Sequence, residues 1–386
     1  MMNNLRKIDA SLLYKVNELS KSEDSLKCIL YTNSFIKTKQ YILRTKCCEV
    51  EKEYPFISAL GVKIKANNLV NFCSFKHLEY ITSNAQVFTQ ICTAKKVCNL
   101  KKLTDEGLTG KGVTVAVIDT GVFSHLDFVY PRNRIIIFKD FIQDKALPYD
   151  DNGHGTFITS ILGGNGIVKG KKFSGIAPNV NIISLKALDK KGETGAFNIL
   201  EAMQWVYDHK DEYNIKVVCM SFGSNPLGNT DPLKVGAETL WNNGITVVAA
   251  AGNSGPDRAT IKSPGVSSKI ITVGAMDDHR NENEEYDEKT FEVADFSSRG
   301  PAFRYYKPDL ITSGVNLVGA SNKGIEHYTT MSGTSVATPI IAGVCALLVE
   351  KYKNITPTQI KSYLLSNTIH LTGDNNKEGY GYLYIK

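Results

Sequence analysis

From about residue 113 the chain alternates between short apolar runs and longer stretches with apolar residues every three or four positions. The runs are VTVAVID (113–119), RIIIFKDF (134–141), VNIISLKAL (180–188), VVCMSFG (217–223), ITVVAAAG (245–252) and KIITVGA (269–275). They are nearly continuous in Val and Ile, the pattern of strands covered on both faces. Between them, AFNILEAMQWVYDHKDEY (196–213) and PLKVGAETLWNNG (232–244) carry helical spacing. The alternation predicts an α/β fold, a mostly parallel sheet flanked by helices. In such sheets, sites form beyond the carboxyl ends of the strands, where Asp119 and Asn253 both stand.

Residues 26–91 follow another pattern. The runs at 26–32, 39–46, 61–67 and 87–92 predict an antiparallel sheet, and 48–58 and 69–83 predict two helices. This is a small α+β domain ahead of the α/β one. Leu5, Ile8, Leu12 and Val16 form one stripe and predict a helical extension over 1–22. The polar segment 92–102 is the best boundary, giving domains 1–98 and 99–386.

Charge and cysteine change this picture little. The net charge is +6 and sits early: residues 1–98 hold 15 Lys/Arg against 8 Asp/Glu, and the rest hold 30 against 31. Dense basic clusters with interleaved aromatics are missing, so the excess reads as a solvated surface and no nucleic-acid partner is expected. The opening residues lack the apolar core of a secretory leader. The longest apolar run, Ile340 to Val349, is too short for a bilayer and reads as a buried helix, so no membrane partner is expected. Eight cysteines include no CxxC pair, which argues against zinc and for free thiols in a reducing, cytoplasmic setting. The six before residue 99 are either small buried hydrophobes or a redox switch.

Three segments carry candidate chemistry. VIDTG (117–121) delivers Asp119 from a strand into a sharp turn. DNGHGT (151–156) holds His154 between two glycines. GTSVATP (333–339) puts Ser335 at the start of an apolar helix, with Pro339 read as part of its first turn. Taken singly, each is ordinary: an Asp-Thr-Gly also occurs in aspartic proteases, a Gly-flanked His in turns, a Gly-Thr-Ser as a helix cap. An aspartic protease needs a second such carboxylate motif, and this chain has none. Together they suit peptide hydrolysis. A serine hydroxyl needs a base as it attacks, an imidazole can take and return that proton, and a carboxylate orients the imidazole. A helix N-terminus aims N–H groups at the developing oxyanion.

The chain order Asp, His, Ser is the subtilisin order. The segments AVIDTG, NGHGT, VVAAAGNSG and MSGTSVATPIIAG resemble the landmarks of the subtilase family, and the likeness covers roughly residues 105–385. It implies a serine endopeptidase with catalytic Asp119, His154 and Ser335. It also implies Asn253 as oxyanion-hole donor and Ser221, Phe222 and Gly223 along a groove that binds peptide or protein substrates. Phe157 departs from the family, where a second His is common. The chemistry needs no cofactor and no metal. Asp127 corresponds to a structural calcium ligand of secreted members, but 163–175 does not resemble their calcium loop and carries Lys169, Lys171 and Lys172. The early domain resembles the family's inhibitory propeptide, chiefly in 60–69 and 87–91. It would make the chain a zymogen that cleaves itself between about 90 and 100 and is inhibited by its own propeptide. The closing GYGYLYIK resembles intracellular, AprX-like members. Two alternatives stay open: a leader-type processing protease with one target, and a non-catalytic regulator on the same fold.

Overall fold

The computed structural model describes residues 7–8, 25–55, 58–83, 93–280 and 286–386. The chain divides into two compact units, Met1–Val87 and Phe88–Lys386.

In the first unit the elements run β1 (Ser25–Thr32), α1 (Phe35–Thr45), β2 (Cys48–Tyr54), β3 (Ala59–Lys65), α2 (Ala66–Phe72) and β4 (Leu78–Ser83). The sheet is antiparallel in the order β2-β3-β1-β4. Leu30, Ile42, Leu60, Ile64, Leu69 and Ile81 share its core. Two expectations are reversed here. Residues 39–46, read as a strand, lie mostly in α1, which buries Thr38 and Ile42 four positions apart. Residues 48–54, read as helix, form β2, where half-buried Cys48 and Val50 alternate with exposed Glu49 and Glu51. The helix expected over 69–83 ends at Phe72, and β4 follows. Ile8 makes a parallel bridge to Ile81 rather than a helical turn. The rest of the expected 1–22 helix and the expected strand at 87–92 lie outside the described residues.

The second unit is built on a ten-stranded sheet. Its strands are β5 (Thr114–Asp119), β6 (Ile135–Asp140), β7 (Asn181–Lys186), β8 (Ile215–Met220), β9 (Thr246–Ala250), β10 (Ile271–Asp277), β11 (Glu292–Val293), β12 (Leu310–Ser313), β15 (Thr368–Ile369) and β16 (Tyr382–Leu383). A separate hairpin joins β13 (Leu317–Ala320) to β14 (Tyr328–Met331). The order is β15-β16-β12-β10-β9-β8-β5-β7-β6, with β11 beside β10. Only β11 and β15 pair antiparallel. The six apolar runs are all strands of this sheet, and its centre is buried on both faces, as their composition requires. The order reverses beside β5, which places a topological switch next to Asp119.

The helices are α3 (Thr93–Val97), α4 (Lys101–Asp105), α5 (Leu126–Val129), α6 (His154–Gly163), α7 (Ala196–His209), α8 (Pro232–Asn242), α9 (Thr334–Lys351), α10 (Pro357–Ser366) and α11 (Asn375–Glu378). Ala94, Cys98, Leu100 and Leu103 are buried in the core of this unit, so the division falls ahead of the 92–102 segment. The run read as Ile340–Val349 belongs to the longer α9. At 18 residues and a mean hydropathy of 1.4 it reaches the length and composition that could span a bilayer, which corrects the sequence reading. It is 83% buried here, packed against α6, β8, β9 and β10 as a core helix.

Candidate active site

Asp119 ends β5, a strand buried at every position, and is itself 1% exposed. One carboxylate oxygen, Oδ1, accepts the N–H of Thr120 at 2.7 Å and lies 2.8 Å from Nδ1 of His154. The other, Oδ2, is buried, with no hydrogen-bond partner among the described residues.

His154 opens α6, and the two glycines beside it have separate reasons. Gly153 adopts φ +105°, left-handed backbone that favours glycine. At Gly155 a Cβ would stand 2.2 Å from the carbonyl oxygen of Gly121, so glycine lets α6 close onto the turn after β5. Asp150 ties the loop together. Its Oδ1 accepts from Thr120 Oγ1 and the Gly153 N–H, and its Oδ2 accepts from the N–H and hydroxyl of Thr156. Burial opposes a charged imidazole, but the Asp119 carboxylate and its hydrogen bond outweigh that, with Asp150 adding. The His154 pKa is thereby raised above 6.5. Phe157 is fully buried against Gly319 in β13 and takes no part in the cleft.

Ser335 is the second residue of α9, after Gly333. Pro339 lies in the second turn, not the first as expected, so the missing N–H matters. It would have bonded the carbonyl of Ser335, four residues back. The hydroxyl of Ser221 bonds that carbonyl instead, at 2.9 Å. Ser221 follows β8, and with Phe222 and Gly223 it lines the cleft that also holds His154, Asn253 and Ser335. The cleft has a volume of about 950 Å³. Among the described contacts, Ser335 and His154 share this cleft rather than a hydrogen bond, which is common before substrate binds.

Asn253 follows β9 through Gly252. Its Oδ1 accepts both the N–H and the hydroxyl of Thr334, each at 2.9 Å. The Gly252 N–H donates to the same hydroxyl at 3.1 Å. This chain of bonds sets which end of the amide faces Ser335. A Cβ on Gly333 would meet Ser335 Oγ at 3.0 Å and Asn253 Nδ2 at 3.2 Å, so the glycine leaves open a space that both groups face. Thr334 and Asp150 were not singled out from sequence, although Thr334 sits inside the GTS motif.

Asp127, the position likened to a calcium ligand, sits in a hydrogen-bonded setting. Its carboxylate accepts the Tyr328 hydroxyl at 2.6 Å and the Val168 N–H at 3.3 Å, fully buried. Among the described residues no three carboxylate, His or Cys groups gather as a metal site.

The profile of the subtilase family, peptidase S8, matches residues 110–382. Serine protease AprX of Bacillus subtilis (strain 168) is 37% identical over 354 residues, covering 86% of this chain and 76% of that protein. The thermostable alkaline protease of Halalkalibacterium halodurans is 27% identical, covering 94% and 91%. Among solved structures, Sphericase matches with a TM-score of 0.65 at 26% identity, over 78% of this chain and all of its own. A cold adapted subtilisin-like serine proteinase matches with 0.58 at 28%, over 72% and 90%. With this match and this cleft, the chain belongs to the subtilase family of serine proteases.

Proposed function

We propose that Ser335, His154 and Asp119 carry the peptide-bond hydrolysis of this serine endopeptidase. The observation that supports it most is the shared space between Ser335 Oγ and Asn253 Nδ2, with His154 held on Asp119 in the same cleft. Ser335 Oγ attacks the scissile carbonyl carbon as His154 takes its proton. The oxyanion is held by Asn253 Nδ2 and by N–H groups at the start of α9. The C–N bond then breaks, and His154 protonates the leaving amine. Water, deprotonated by the same imidazole, cleaves the acyl-enzyme. Asp119 keeps the imidazole oriented and stabilises its cation. Ser221, Phe222 and Gly223 would pair with the substrate backbone.

The first unit would act as an inhibitory propeptide, removed by self-cleavage between about 90 and 100. Its compact sheet with a core of its own, ahead of the family match at 110–382, supports this. The chemistry uses no cofactor, and the Tyr328 hydroxyl and Val168 N–H on the two carboxylate oxygens of Asp127 support the reading without calcium there. Cys47, Cys48, Cys73, Cys219 and Cys345 stand as thiols, which supports a reducing, cytoplasmic setting. Intact mass of wild type and Ser335→Ala tests the zymogen reading. The wild type should lose the first unit and the variant should stay at 42.5 kDa. Equal masses of 42.5 kDa would overturn self-processing. A fluorophosphonate probe should label Ser335 in the processed protein, and unlabelled serine would overturn the triad. Casein cut at many sites would set general proteolysis above a single-target role.

A further inference from the structure

The cleft contains a cation that the chemistry above leaves unused. Three segments enclose a recess beside the oxyanion space: 221–225 after β8, 250–253 at the end of β9, and 261–263. The last ties the other two together. Ser224 and Ser263 exchange backbone hydrogen bonds of 2.9 Å, and the Lys262 N–H donates to the Ala251 carbonyl at 2.9 Å. Lys262 lines the cleft, its stem between the other two segments. A Cβ on Gly223 would lie 2.6 Å from Lys262 Cβ, and one on Gly252 would lie 2.5 Å from Lys262 Cγ. Both walls are therefore glycine where the lysine stem crosses them.

The ammonium of Lys262 has a neutral partner. Its Nζ donates to Asn225 Oδ1 at 2.7 Å, and among the described residues no carboxylate lies within ion-pair distance of it. Three other charged side chains besides His154 line the cleft. Asp231 is buried and consumed: Ser263 Oγ and the N–H groups of Leu227, Leu233 and Lys234 all donate to it. Lys191 and Glu193 belong to the separate stretch that precedes α7.

From these walls we infer that Lys262 selects substrates with a carboxylate side chain, Glu or Asp, on the residue that donates the scissile carbonyl. The inference rests on Ser335 and Asn253 flanking that carbonyl. With the carbonyl oxygen there and the substrate backbone along 221–223, the side chain one bond away enters the recess. The lysine stem fills part of the volume a large aromatic side chain would need. A basic side chain meets like charge. A carboxylate exchanges the neutral Asn225 contact for an ion pair in a partly shielded recess, where such pairs outweigh exposed ones. Discrimination then appears in kcat/KM between otherwise identical substrates.

The test uses processed protein and quenched peptides that differ only at this residue: Glu, Gln, Leu and Lys. Glu and Gln match in shape, so their ratio isolates the charge. The expected kcat/KM ratio of Glu to Gln is about tenfold or more at low ionic strength, shrinking as salt screens the pair. Lys262→Met, which keeps the stem, should bring the ratio to about one, and Lys262→Glu should turn the preference toward Lys. A wild-type ratio of one or below overturns the inference without any variant. So does a tenfold ratio that survives in Lys262→Met. Fluorophosphonate labelling of the same preparation separates the two levels. A labelled enzyme that cuts Gln as well as Glu removes only the role of Lys262. An unlabelled, inactive one removes the site reading and this inference with it.

Discussion

Thr334 aims both of its donors at one oxygen of Asn253 and receives the Gly252 N–H on the same hydroxyl. The amide is thus fixed with its nitrogen toward Ser335. Thr334→Val removes one of the two donors and strands the Gly252 N–H. It should lower kcat about tenfold with little change in KM, because the loss is felt when the oxyanion forms. Asn253→Leu should cost more, about 10²–10³ in kcat, the loss measured for the equivalent donor in subtilisin itself. Steady-state kinetics on one peptide reads both. The raised pKa of His154 gives a second expectation. The imidazole must be neutral to act as base, so kcat/KM should climb with pH through a value above 6.5. Asp119→Asn should move that limb to lower pH, because the main group holding the proton on is gone, and should cut turnover by about 10⁴. Asp119, His154 and Ser335 could be proposed from the sequence because each stands at a glycine-marked break after or before an apolar run, whereas Asn253 came only from the likeness to the family. Thr334 on Asn253, 81 residues away, and Ser221 on the Ser335 carbonyl, 114 away, were not legible. Their roles exist only once α9 has been laid against β8 and β9.

At the scale of elements, the long apolar runs were read correctly because a strand covered on both faces leaves little ambiguity. The first unit misled because its segments are short. Seven or eight residues fit either period, and α1 was taken for a strand where only the spacing of Thr38 and Ile42 betrays a helix. A different device secures the far edge of the large sheet. Lys307, buried, donates to the Ile270 carbonyl, Thr272 Oγ1 and Asp309 Oδ2. Asp309 also accepts the Thr272 N–H and pairs with Lys361 of α10 at 2.9 Å. Burial drives the Lys307 pKa down to about 7, against the pull of Asp309. Asp309→Ala would leave Lys307 and Lys361 without the carboxylate that both pair with. In the inactive Ser335→Ala background it should cost about 3–5 kcal/mol at pH 7. Wild type and variant alike should gain stability as pH rises from 7 toward 10.5, because the unfolded chain then holds a proton that buried Lys307 has given up, so the cost of the substitution should stay nearly constant over that range. Urea unfolding at pH 7 and 9.5 would show both effects.

For the molecule as a whole, the first unit carries the excess positive charge and the second is nearly balanced in charge. Composition shows only that imbalance, and the family match at 110–382 falls within the second unit. How the second unit closes was hidden in the sequence. The Ile385 N–H donates to the Cys98 carbonyl at 3.0 Å, and the Asn99 side chain donates to the Ile385 carbonyl at 2.7 Å across 286 positions. The stretch from Cys98 to Ile385 is therefore a ring closed by hydrogen bonds. A ring has no obligatory starting point. The same fold could be written in another order, opened at the exposed loop around Leu147 and joined across Asn99 and Ile385, with the proposed triad then met along the chain as His154, Ser335, Asp119.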